Sequence, residues 1–147
     1  MRRIAAVLAS ILISVSIFGQ NERMVQVGIG ASVDCFDLLD GMVLPSVGLG
    51  AYSRLGRPDQ WVSLMGGVRY IYGTRLSGIQ VPILLNVNLL RARQASAYLG
   101  AGFEFDFVGS YLGAARFQTG LTGRHIDLYV FFKPYQGDLA AGVTYYF

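Results

Sequence analysis

His125 and Asp127 stand two apart in the stretch HIDLYVFF, so on an extended chain their side chains point the same way. A carboxylate beside an imidazole is a minimal acid–base pair, and an enzyme acting on lipid could use one. On an alternating strand, however, both side chains face the enclosed side, whereas lipid substrates lie outside. The pair therefore reads as an interior histidine with its hydrogen-bond partner. Three glycine clusters, GIGAS at Gly28, GLGAY at Gly48 and GAGFE at Gly100, begin the pattern of a dinucleotide loop. Val33, Ser53 and Phe105 then stand where G-x-G-x-x-G needs its last glycine. One histidine and one cysteine, Cys35, leave no metal-ligand spacing. No catalytic, cofactor-binding or metal residue is assigned, and no cofactor is expected.

What must position the remaining polar residues is a set of short strands. Ser96 to Gly109, SAYLGAGFEFDFVG, sorts by parity: Ala97, Leu99, Ala101, Phe103, Phe105 and Phe107 alternate with Tyr98, Gly100, Gly102, Glu104 and Asp106. From Met24 onward similar segments are separated by clusters of glycine, proline and charge, the signature of an all-β chain. Eight strands are expected, at about 24–34, 42–54, 61–72, 78–90, 96–108, 111–121, 125–133 and 139–147. Pro82, inside the fourth, lacks the donor for one ladder bond. That puts it by the outer rim or at a bulge.

One parity of every segment is free of charge, as in Val25, Val27, Ile29, Ala31 and Val33. The opposite parity carries Asp34, Arg69, Glu104, Asp106, Arg116, Asp127 and Lys133. A soluble barrel would turn the apolar face inward; an outer-membrane barrel turns it to lipid. Size decides, because the inside of an eight-stranded barrel has room for side chains only if some positions are nearly empty. Gly28, Gly30, Gly48, Gly50, Gly67, Gly100, Gly102, Gly120 and Gly142 fall on the charged parity, and Gly66 and Gly113 on the apolar one. The charged, glycine-rich face is therefore the inside. Its three cations and four carboxylates sum to about −1 and form an internal salt-bridge network, since buried charges must pair. Tyr52, Tyr98, Tyr129, Phe131 and Tyr146 share that space and plug it. Tyr70, Tyr72, Phe105, Phe107 and Phe132 gather toward one rim and Tyr145 and Phe147 toward the other, as interfacial girdles do.

The composition agrees. The chain has 147 residues, 53% hydrophobic and 14% charged, an oily balance with no internal apolar run long enough for a membrane helix. Arg2 and Arg3 followed by an apolar stretch to Phe18 mark residues 1–19 as a signal peptide, leaving residues 20–147 as the barrel. Losing two arginines takes the formal charge from +3 to about +1, which is no footprint for nucleic acid.

IQVPILLNV (Ile79 to Val87), YLGAGFEF (Tyr98 to Phe105) and the terminal GVTYYF together resemble the PorT-like outer-membrane β-barrel family of Bacteroidota-type envelopes. The resemblance implies an outer-membrane location across the mature chain. Phe147 resembles the signal read by the barrel assembly machinery, which would make that machinery a transient partner. The family's members are commonly longer, and a lysine often stands where Asn86 stands here.

The expected protein is an eight-stranded antiparallel up-and-down transmembrane β-barrel in the outer membrane with a side-chain-filled lumen. Its expected role is structural or adaptor, without catalysis, with lipid and an envelope protein as partners. A binding module, a narrow pore and a lipid A-modifying enzyme are the alternatives.

Overall fold

A computed structural model describes residues 25–36, 44–73, 77–92, 95–107, 112–135 and 137–147. The expected signal peptide, residues 1–19, and the first residues of the barrel domain lie outside them. Eight strands run in sequence: β1 (Val25–Phe36), β2 (Leu44–Leu55), β3 (Val62–Gly73), β4 (Gly78–Arg91), β5 (Ala95–Asp106), β6 (Leu112–Gly123), β7 (Ile126–Lys133) and β8 (Asp138–Tyr146). Each pairs antiparallel with the next, and β8 pairs with β1, closing an up-and-down barrel. Closure removes every sheet edge.

The register fixes the geometry. Stepping across partners from Val25 leads through Leu55, Leu64, Leu85, Ala101, Phe117, Phe132 and Leu139 and returns to β1 at Cys35, a stagger of ten residues. Such a stagger tilts strands by roughly 35–45° and leaves an eight-stranded bore just wide enough for side chains. Strands of 12 or 14 residues, as in β5 and β4, then span a hydrocarbon layer about 30 Å thick.

The barrel is turned inside out relative to a soluble one. Ile29, Leu49, Ile83, Leu99, Phe117 and Val143 face outward and are exposed, Leu99 by 54%, while Tyr52, Arg69, Glu104 and Tyr146 are at 1% or less. The glycines follow the same division. A Cβ on Gly142 would lie 2.5 Å from the Tyr129 ring, and one on Gly30 would lie 2.9 Å from the Tyr52 ring. On Gly66, which faces out, the nearest atom would be 3.9 Å away. Inward glycines are where the large side chains of the bore have gone.

The two ends of the barrel differ. The strand ends that lead into the connections after β1, β3, β5 and β7 lie at one end, here the loop rim. The start of β1, the end of β8 and the strand ends that lead into the turns after β2, β4 and β6 lie at the other, the terminal rim. Tyr70, Tyr72, Phe105, Phe107 and Phe132 are exposed toward the loop rim; Tyr145 and Phe147 are exposed toward the terminal rim, with Trp61. Gly56, with φ of 110°, and Gly137, with φ of 62°, adopt left-handed conformations in their turns.

Pro82 departs from expectation. It sits at neither a rim nor a bulge but within β4, buried and opposite Glu104 of β5. On its other side the β3–β4 partners pass from Gly66↔Ile83 to Arg69↔Gln80 without a change of register. The ladder omits the pairs at Val81 and Pro82, which accommodates the missing N–H. The bulge of β4 lies elsewhere, between Asn88 and Leu90, where Leu89 and Leu90 both turn outward.

Candidate functional site

The bore is the place where polar groups converge. Strand alternation brings one residue in two inward, and the tilt stacks them in layers. Toward the loop rim, β1, β3, β5, β6, β7 and β8 deliver Asp34, Arg69, Glu104, Arg116, Lys133 and Asp138. Glu104 is the hub. Its Oε1 accepts from Arg69 Nη2 at 3.1 Å and lies 3.0 Å from Lys133 Nζ; its Oε2 accepts from Arg116 Nη1 at 2.5 Å. Arg69 Nη1 reaches Asp34 Oδ2 at 2.9 Å and donates to Ser32 Oγ at 3.1 Å. Lys133 Nζ lies 2.9 Å from Asp138 Oδ2. Glu104, Arg69, Arg116 and Lys133 have fully buried side chains. Isolated, any of them would carry a desolvation penalty of several kcal/mol; the mutual pairing offsets it.

Below this cluster the guanidinium planes of Arg69 and Arg116 lie 4.6 and 3.7 Å from the Phe131 ring centroid. Phe131 stacks on Tyr129, and Tyr52, Met65 and Leu84 complete a greasy middle layer with Tyr146. Hydrogen bonds pass through it along one side: Arg116 Nη2 to Gln118 Oε1 at 2.6 Å, Gln118 Nε2 to Tyr98 OH at 2.6 Å, and Tyr98 OH to Asp127 Oδ2 at 3.2 Å. The chain of partners thus runs from Asp138 near one mouth to Asp127 near the other.

Toward the terminal rim a single cation, Arg54, is held by neutral acceptors. It donates to Gln26 Oε1, to Thr122 Oγ1 and to the carbonyls of Gly123 at 3.0 Å and Arg124 at 3.4 Å, and it lies 4.4 Å from the Tyr146 ring centroid. The turn after β2 folds over the same mouth, where Ser96 Oγ donates to the Pro58 carbonyl and Asn88 Nδ2 to the Gln60 carbonyl at 2.6 Å. Among the described residues, side chains thus enter the bore at both ends and in the middle layer.

Most residues expected inside are there: Asp34, Arg69, Glu104, Arg116, Asp127 and Lys133 are buried, and Asp106 is half-buried at the loop rim. Tyr52, Tyr98, Tyr129, Phe131 and Tyr146 are all buried among them. The expected interior pairing of His125 with Asp127 does not form. β7 begins at Ile126, so His125 lies in the turn, exposed, with its ring stacked 6.0 Å from that of Tyr145 and its Nδ1 3.0 Å from the Tyr146 carbonyl oxygen. Asp127 points into the bore, and the barrel wall divides the two. Two charged groups were not anticipated. Arg54 has the inward parity of β2, and Asp138 begins β8 one residue before the expected start. With them, the buried cations Arg54, Arg69, Arg116 and Lys133 balance the buried carboxylates Asp34, Glu104, Asp127 and Asp138. Among the described residues no three histidine, cysteine or carboxylate groups are placed to share a metal ion.

No protein-family model matches the chain, and no curated protein matches it. Among solved structures it is similar to a barrel described as "De novo design of transmembrane beta-barrels", with a TM-score of 0.55 and 13% identity over 83% of this chain and 95% of that one. At that identity the likeness is one of fold. With the outward apolar wall and inward charges, it gives the chain the architecture of a small, membrane-embedded, eight-stranded β-barrel.

Proposed function

We propose that this protein is an integral outer-membrane barrel with a sealed bore, acting as a structural or adaptor element of the envelope without catalysis. The observation that carries this reading is the Glu104 hub. Three cations converge on one buried carboxylate above a layer of aromatic rings, and together they occupy the path that ions would take. Arg116 lies within the hydrogen-bonded chain, and a guanidinium that stays charged is a poor relay for protons. The separation of His125 from Asp127 speaks against the lipid-modifying alternative. Outer-membrane placement draws support from the closed barrel and from the resemblance to the PorT-like family, which also suggests Phe147 as the contact for barrel assembly.

Two measurements test the reading. After fractionation, the protein should remain in the urea-washed membrane pellet and change gel mobility on heating; recovery from the soluble periplasm would overturn it. In planar bilayers the folded protein should give no discrete conductance steps, and reproducible steps would replace the sealed barrel by a pore.

A further inference from the structure

The outer wall is not evenly filled. Between the side chains of β4 and those of β6 and β7 a groove of about 700 Å³ opens on the lipid-facing surface. Val87 and Leu89 line one side, Phe117 and Phe132 the other, and Ala101 of β5 leaves room between them. Its volume falls within the roughly 300–1,000 Å³ typical of sites for small ligands. Because Leu89 and Leu90 both turn outward at the β4 bulge, the apolar surface continues to the terminal rim.

Both flanks of this groove end at that rim in an exposed arginine. Arg91 closes β4, and Arg124 stands in the turn between β6 and β7. Two strand spacings, about 10 Å, separate β4 from β6, so the two arginines flank the foot of the groove. Arg91 lies over the Trp61 ring at 3.6 Å and donates to the Asp59 carbonyl at 3.5 Å. Neither arginine pairs with a carboxylate among the described residues, whereas Arg57, on the same rim, is taken by Asp59 at 2.8 Å.

We propose that the groove holds one acyl chain of an anionic phospholipid whose phosphate lies at the rim in the field of Arg91 and Arg124. Charge selects this occupant. A second copy of the barrel lying parallel in the same membrane would bring its own Arg91 and Arg124 to the same depth, setting like charges against each other. A phospholipid supplies both an apolar tail for the groove and an anion for its foot, where rim arginines favour an anionic headgroup.

The proposal rests on the membrane reading above, and heat-modifiable gel migration of each variant distinguishes loss of the barrel from loss of the lipid site. Native mass spectrometry would follow folded protein in mild detergent, mixed with equal amounts of phosphatidylglycerol and phosphatidylcholine bearing identical chains. The wild type should retain one lipid, with phosphatidylglycerol favoured roughly tenfold. The double variant Arg91→Gln/Arg124→Gln should keep a lipid but lose the preference, and Ala101→Phe should retain less of either. No bound lipid, equal retention of the two by the wild type, a preference unchanged in the double variant, or a dimer mass that lipid displaces would each overturn it.

Discussion

The two ends of the bore bury charge by different means. At the loop end, Glu104 is surrounded by Arg69, Arg116 and Lys133, with Asp34 and Asp138 closing the set, so charge is met by charge. At the terminal end, Arg54 is met by an amide, a hydroxyl and two backbone carbonyls. The first arrangement depends on every member being present. The second spreads one charge over dipoles, two of which, the Gly123 and Arg124 carbonyls, lie where β6 passes into its turn. One barrel therefore has a stiff ionic lock above the aromatic layer and a softer, hydrogen-bonded seal below it.

The largest effect should come from breaking the lock. Glu104→Ala leaves three buried cations without their shared counter-ion and should cost about 3–5 kcal/mol, read as a shift in urea unfolding followed by gel mobility. Arg54→Met removes a charge whose hydrogen-bond partners are all neutral and on which the Asp127 carboxylate acts only from farther off, so its cost should be about 1–3 kcal/mol, the penalty of stranding buried acceptors. If the two variants unfold at the same urea concentration, the distinction between the ends fails. Between them lies the middle layer: Gly142→Ala sets a methyl against the Tyr129 ring and should cost about 1–3 kcal/mol, with Gly66→Ala, which meets its nearest atoms only at 3.9 Å, close to neutral. The smallest effect should be at His125→Ala, within about 0.5 kcal/mol, because its ring lies exposed on the outside of the turn.

Much of this division was legible in the sequence because a small membrane barrel repeats one rule eight times. Alternation gave all eight strands to within two residues, and the glycine parity gave their orientation, since only the inner face is short of space. The ionic lock followed from the same parity: Glu104, Arg69, Arg116 and Lys133 are inward positions on four separate strands. What alternation misses lies at strand ends and irregularities. His125 reads as inward only if the seventh strand starts at residue 125; it starts at Ile126, and beyond a strand end the rule stops applying. Asp138 was missed for the converse reason. The bulge after Asn88 leaves no mark in the sequence, as Leu89 and Leu90 are both apolar and either would suit the wall. Pro82 points to a rim or a bulge only if a lost ladder bond needs a special place; the ladder omits two pairs there and keeps its register.

The measurement that bears most directly on the account places a tryptophan on each side of one strand. In a Trp61→Phe background, Leu99→Trp and Tyr98→Trp are adjacent on β5, one outward and one in the bore. Reconstituted in vesicles with brominated acyl chains, the tryptophan at 99 should be strongly quenched while that at 98 keeps most of its emission. Quenching at 98 with none at 99, or equal quenching at both, would contradict a barrel that shows lipid its apolar face and keeps its charges within.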